Sequence, residues 1–343
     1  MRKWLNTLFV LSDDSYLALE GETVLVLAGE EKRGQFPLHT LESILCFSYK
    51  GASPALMGEC AKRGVNLCFL SPYGRFLARV SGENSGNVLL RKTQYRVSDD
   101  EAQSCRVARC FVFGKVYNCR WSLERTRRDH ALRVDDEALS HASALLADVL
   151  PAVLQESDLR VLRGLEGRAA STYFGVFDHL ILNQRETFSF TERSRRPPLD
   201  PLNALLSFSY TLLTSLCAGA LESVGLDAYV GFLHRDRPGR SSLALDLMEE
   251  LRPLFADRLV LTLINNRVIQ KSHFIQRENG AVWLTDEGRK AFLTAWQKRL
   301  GETLTHPYLK EKLPWGLVPY VQSLLLARYL RGDLDAYPPF LWK

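Results

Sequence analysis

The spacing of apolar residues changes once along this chain, near residue 100, and that change constrains the fold more than any other feature. Before it, short β-like runs at 7–11, 15–19, 23–27, 43–47, 66–70 and 76–81 are separated by turn residues such as Ser12-Asp13-Asp14 and Glu20-Gly21-Glu22. One helix is expected among them at 53–62, where Pro54 stands near the start and Gly64 lies just past the end. After it the period becomes 3.6, which predicts long helices at 102–128, 136–153, 157–184, 202–224 and 242–255. The polar, Gly-rich stretch 81–87 reads as the start of a linker. The expected fold is therefore α+β, with a small N-terminal β-sheet domain containing one short helix over 1–85. A linker over 86–101 then leads to a larger, mainly α-helical domain over 102–343. At 343 residues the chain is long enough for two domains of ordinary size.

Apolar residues make up 46% and charged residues 24%, a balance that excludes disordered and collagen-like chains. No uncharged apolar run approaches the roughly 20 residues that span a bilayer, and even 199–233 is broken by Asp200, Glu222 and Asp227. No membrane span is expected. Residues 1–4 carry two positive charges without a small-residue cleavage site after them, so the expected location is the cytoplasm. Seven cysteines, an odd set without CxxC spacing, read as reduced and mostly buried thiols. The spacing of Cys105, Cys110 and Cys119 fits no zinc finger or ribbon.

The net charge of +5 is uneven. Between residues 91 and 133 eleven Lys or Arg stand against five acids, so this segment carries +6 and the remainder −1. Interleaved with Tyr95, Phe111, Phe113, Tyr117 and Trp121, such a segment suits a nucleic-acid backbone, although a solvated helix face has the same composition. Arg125, Arg127 and Arg128 are candidate DNA contacts there. A second basic stretch, 192–201, holds Arg193, Arg195 and Arg196, and its prolines keep it from being helix. It reads as a DNA clamp or a rigid spacer. Arg240, in Arg237-Pro238-Gly239-Arg240, completes the set of candidate DNA contacts.

Four positions carry chemistry. Glu166 shares a helix face with Leu162, Ala169, Ala170 and Tyr173, where a carboxylate needs a partner to offset lost hydration. Arg163, one turn away, is the plain structural partner. Ser241 and Ser242 are candidate N-caps, which puts Asp246 and Glu249 one turn apart on the helix that follows. Two such carboxylates repel unless a divalent cation or an arginine lies between them, and they offer the hard oxygens that magnesium or manganese prefers. His234 precedes a Pro-Gly turn that can fold its imidazole toward the same face. A lone loop histidine is more often a surface residue, but the combination of Glu, His and Asp-x-x-Glu points to a metal site.

These residues resemble a known family, the CRISPR-associated adaptation integrases, or "Cas-one" endonucleases. The resemblance covers essentially the whole chain and rests on Leu162-Arg163-Gly164-Leu165-Glu166-Gly167, the helix beginning Pro201-Leu202-Asn203-Ala204, Gly231-Phe232-Leu233-His234, Arg237-Pro238-Gly239-Arg240 and Leu243-Ala244-Leu245-Asp246-Leu247-Met248-Glu249. The loop lengths and the Leu-Met between the two acids look most like the type I-C branch. The resemblance implies a metal-dependent DNA endonuclease and transesterase that inserts new spacers into a CRISPR array. It implies Mg2+ or Mn2+ held by Glu166, His234 and Glu249, with Asp246 an adjacent acid required for catalysis. Asp246 could share the metal or orient the nucleophile, and His234 could instead act as an acid toward the leaving oxygen. The implied partners are double-stranded DNA, a second copy of the chain through the β domain, and a small companion protein, "Cas-two". A DNA-repair nuclease would use the same ligands, and a non-catalytic DNA-binding scaffold would need none of them.

Overall fold

In the computed structural model, which describes residues 6–71, 76–82 and 88–343, the chain forms two compact units, Met1–Gly86 and Asn87–Lys343. The basic N-terminal residues and the Gly-rich stretch 83–87 lie outside the described residues.

The first unit is β-rich. Its strands are β1 (Asn6–Val10), β2 (Ser15–Glu20), β3 (Thr23–Ala28), β4 (Glu31–Pro37), β5 (Leu41–Cys46), β6 (Asn66–Leu70) and β7 (Phe76–Arg79), with helix α1 (Pro54–Arg63) between β5 and β6. The strands form a four-stranded sheet in the order β1-β5-β6-β7 and an antiparallel meander β2-β3-β4. Leu17, Val24, Val26, Ile44, Leu56, Cys60 and Leu67 close the core between them. Ser53 caps α1 by accepting from the Leu56 N–H at 3.2 Å, and Pro54 occupies its first turn. β4 was not expected from the sequence. Its residues Glu-Lys-Arg-Gly-Gln-Phe-Pro show no apolar alternation because it is the outer strand of the meander and is exposed along most of its length.

The second unit is mainly helical. It runs α2 (Val88–Asp99), α3 (Glu101–His130), α4 (Asp136–Gln155), α5 (Leu159–Gly175), α6 (Pro201–Ser223), α7 (Ser242–Arg252) and α8 (Arg258–Asn265). Then come β8 (Phe274–Gln276), β9 (Val282–Leu284), α9 (Asp286–Gly301), β10 (Thr303–Thr305), β11 (Lys312–Pro314) and α10 (Val318–Arg331). Aspartates at 100, 135, 158 and 200 cap α3, α4, α5 and α6 through their side chains, and Pro201 starts α6. α3 is the axis of the unit, packing on α4, α5 and α7, while α6 packs on α7 and α10. Against the expectation that no apolar run approaches the length of a bilayer span, both α4 and α6 are long and apolar enough to cross a bilayer by length and composition. In α6 those apolar residues are mostly core.

Three further expectations need correction. The stretch read as a linker over 86–101 carries α2, whose Leu90 and Gln94 are buried. The Gln94 amide donates to the carbonyls of Asp227 and Val230 at 2.8 Å each and accepts from the Asp227 N–H at 2.9 Å. The helix expected over 157–184 stops at Gly175. Beyond it, side chains take over the backbone groups: Asp178 accepts from the Phe190 N–H and Asn265 from the Leu182 N–H. Finally, the helix begun at Ser242 does not end near 255. It widens into a π turn over Pro253–Asp257, where proline lacks the N–H a regular helix would use, and continues as α8.

Candidate active site

The site is assembled where α3 and α7 come closest. A Cβ at Gly114 would stand 2.8 Å from the Glu250 Cβ and 3.2 Å from the Pro339 Cβ, so only glycine permits this approach. The next residue, Lys115, is buried on the apolar face that also carries Phe111, Val112 and Cys119. Its ammonium bonds to Glu166 Oε1 on α5 and lies 2.7 Å from Glu249 Oε2 on α7. Burial alone would push this ammonium down. The attraction of Glu249 and then Glu166 overrides that and raises its pKa.

His234 reaches the same place from the loop before α7. A Cβ at Gly231 would stand 2.8 Å from Ser242 Cβ and 2.9 Å from Asp246 Oδ2, so this glycine lets the loop lie directly on the first turns of α7. Asp246, fully buried, holds the loop there. It accepts from the N–H groups of Phe232 at 2.6 Å, Leu233 at 2.9 Å and His234 at 2.9 Å, and from His234 Nδ1 at 2.6 Å. With Nδ1 as the donor to a carboxylate, Nε2 is left to face Glu249 Oε1, 3.9 Å away. Four bonds already engage both Asp246 oxygens. Ser241 occupies the N-cap position of α7 without the expected side-chain bond, and Ser242 Oγ donates instead to the Arg235 carbonyl at 3.2 Å.

Glu249 is buried beside two cations and the His234 ring. Burial pushes its carboxyl up, but Arg252, Lys115 and His234 override it and hold the pKa at about 2. Arg252 Nη2 donates to Oε1 at 2.6 Å, whereas Oε2 is buried without an aligned hydrogen bond despite the nearby Lys115. Arg163 is not the partner of Glu166. Its Nε donates to the Leu233 carbonyl at 2.7 Å and so ties α5 to the His234 loop.

Beside Glu166 and His234 opens a cleft of about 370 Å³ whose wall carries Arg160, Arg163, Arg235, Arg237 and Arg240. Of these only Arg240 was expected as a DNA contact. The Arg160-x-x-Arg163-x-x-Glu166 and Arg235-x-Arg237-x-x-Arg240 spacings were the available signals. The other candidates lie elsewhere. Arg125 and Arg128 both pair with Asp129, and Arg127 pairs with Glu124 and Asp136, so carboxylates offset much of the charge at the end of α3. Arg193 requires correction as an expected DNA contact because its guanidinium turns inward. It donates to the Ser194 carbonyl, to Asn203 Oδ1 at 2.5 Å and to Ser207 Oγ at 3.0 Å, and lies over the Tyr210 ring. Arg195 and Arg196 are exposed on the same loop, and all seven cysteines are free, six of them buried.

Two carboxylates and an imidazole are a donor set that suits magnesium or manganese. The residues fit a divalent cation. Among the described residues, however, no three His, Cys, Asp or Glu side chains already stand around one point.

The chain is 48% identical over 343 residues to a protein of Chlorobaculum tepidum named CRISPR-associated endonuclease Cas1 1, covering 100% of both chains. Its fold is similar to that of a casposase bound to integration product (TM-score 0.83, 23% identity), over 99% of this chain and 95% of that one. It is also similar to a Cas6-RT-Cas1–Cas2 complex (TM-score 0.81, 21% identity), over 100% of this chain and 36% of that one. Residues 8–298 match the family described as CRISPR associated protein Cas1, and with a full-length relative at 48% identity the chain belongs to that family.

Proposed function

We propose that this chain is a divalent-metal-dependent DNA endonuclease and strand transferase that inserts short DNA segments into a CRISPR array. The observation that carries the reading is the convergence of Glu166, His234 and Glu249, from three separate elements, beside a cleft walled by five arginines. Those three residues would hold Mg2+ or Mn2+, and the bound ion would supply Lewis-acid stabilisation of charge at the scissile phosphate. Asp246 is a positioning residue: it fixes the His234 ring through Nδ1 and leaves Nε2 as the ligand atom. Arg160, Arg235, Arg237 and Arg240 bind the DNA backbone and present a phosphate to Glu166 and His234, without reading sequence.

Joining both strands of an incoming segment at opposite ends of a repeat needs two such sites. The working unit is therefore at least a homodimer, formed through the N-terminal β unit. The Cas1–Cas2 complex of similar fold supports a Cas2 partner as well.

The test is incubation with short duplex DNA and a supercoiled plasmid carrying a CRISPR array, with manganese or with a chelator. Joined products and relaxed plasmid are expected with manganese alone. Nicking without joining would favour a repair-type nuclease, and full activity in chelator would overturn the metal site. Reversing Arg235, Arg237 and Arg240 to Glu should weaken duplex binding more than reversing Arg125, Arg127 and Arg128, as read by binding isotherms at two salt concentrations.

A further inference from the structure

We propose that Lys115 is the cation that Glu166 and Glu249 share before metal binds, so that loading the site exchanges the Lys115 ammonium for the divalent ion. This rests on the metal reading above and adds to it a residue from α3 that the motifs do not contain.

The Lys115 ammonium is buried and bridges the two carboxylates, bonding to Glu166 Oε1 and lying 2.7 Å from Glu249 Oε2. Two carboxylates this close repel one another in a buried setting, and one ammonium between them offsets the repulsion. The acidic pair thus meets across Lys115 and not around an open centre. An ion that takes an oxygen from each carboxylate needs the place the ammonium holds. A singly and a doubly charged cation a few ångströms apart, away from water, repel strongly, so both do not remain there. The flexible four-carbon lysine stem lets the ammonium swing off the two carboxylate oxygens. Arg252, by contrast, stays on Glu249 Oε1, bonded at 2.6 Å and stacked over Tyr210. Lys115 is therefore the movable cation of the two.

Calorimetric titration of the full chain with manganese tests the exchange. Lys115→Met should bind manganese at least about tenfold more tightly than wild type, because no ammonium opposes the ion. Without metal it should melt at a lower temperature than wild type, and saturating manganese should close that gap. Glu166→Gln should lose binding in either background. If wild type binds manganese and Lys115→Met binds it equally or less well, the exchange is wrong and the metal site stands. If neither chain binds manganese, the metal reading itself falls, and the exchange with it. Should Lys115→Met not fold, NMR of wild type with isotope-labelled lysine side chains decides. The resonance that disappears in Lys115→Arg must shift on saturation with magnesium, and a resonance that stays in place overturns the exchange.

Discussion

Glu249 and Glu250 are neighbours on α7, both buried, and their surroundings are opposite. Glu249 faces Arg252, Lys115 and His234, which overcome burial and hold its carboxyl at about 2. Glu250 faces neutral donors: Gln322 Nε2 at 2.9 Å, the Tyr337 hydroxyl at 2.5 Å and the Phe340 N–H at 2.8 Å. There burial wins and pushes the carboxyl up to about 7. Burial is common to both residues, so the charge of the partners decides the outcome. One side of α7 concentrates charge. The other ties the C-terminal segment to the helix: Asn118 on α3 donates to the carbonyls of Glu250 and Phe340 at 2.7 Å each and accepts from the Trp342 N–H at 3.1 Å.

The largest effect expected on this contrast comes from Glu249→Gln. It removes a proposed ligand and leaves Lys115 and Arg252 buried with less compensation. Nicking should fall by at least about a hundredfold, and stability by about 3–5 kcal/mol, read by plasmid relaxation and denaturant unfolding. In wild type, the Glu249 carboxyl is lowered on folding from 4.5 to about 2, so its stabilisation is present above pH 4.5 and lost as pH falls through about 2. A Glu249→Gln chain that nicks DNA at the wild-type rate would break the contrast.

Glu250→Gln should act in the opposite pH direction. Because folding raises this carboxyl from 4.5 to about 7, wild type is favoured below pH 4.5 and loses about 3 kcal/mol as pH rises from 4.5 through 7. The glutamine variant should lose that slope, measured by unfolding midpoints across the window, and should keep the nicking that Glu249→Gln loses. A slope that persists would mean Glu250 does not titrate there. The smallest effect belongs to Tyr337→Phe, which removes one donor to Glu250 and should cost about 1–2 kcal/mol in thermal unfolding.

Much of this arrangement was legible in the sequence wherever the signal was local. Asp100 and Asp200-Pro201 are cap signals, and α3 and α6 begin within a residue of their expected starts. Glu166, His234 and Glu249 were recognisable as candidate ligands because each lies in a compact motif. What was not legible depends on distant partners. Gln94 gives α2 its purpose only through backbone groups at 227 and 230, so a polar stretch read as linker. Lys115 looked like one more charge in a basic segment, although a lone cation beside Phe111, Val112 and Cys119 was a usable sign of a buried partner. Asp246 was read as a catalytic acid that could share the metal or orient the nucleophile, because the loop that fills its oxygens follows a path the sequence does not display.

The proposed centre is tested most directly by anomalous diffraction from crystals of the full chain soaked in manganese. A single peak is expected about 2 Å from oxygens of Glu166 and Glu249 and from His234 Nε2, with Asp246 still bonded to the His234 loop. A peak coordinated by Asp246, or manganese bound elsewhere with Glu166, His234 and Glu249 left empty, would contradict it.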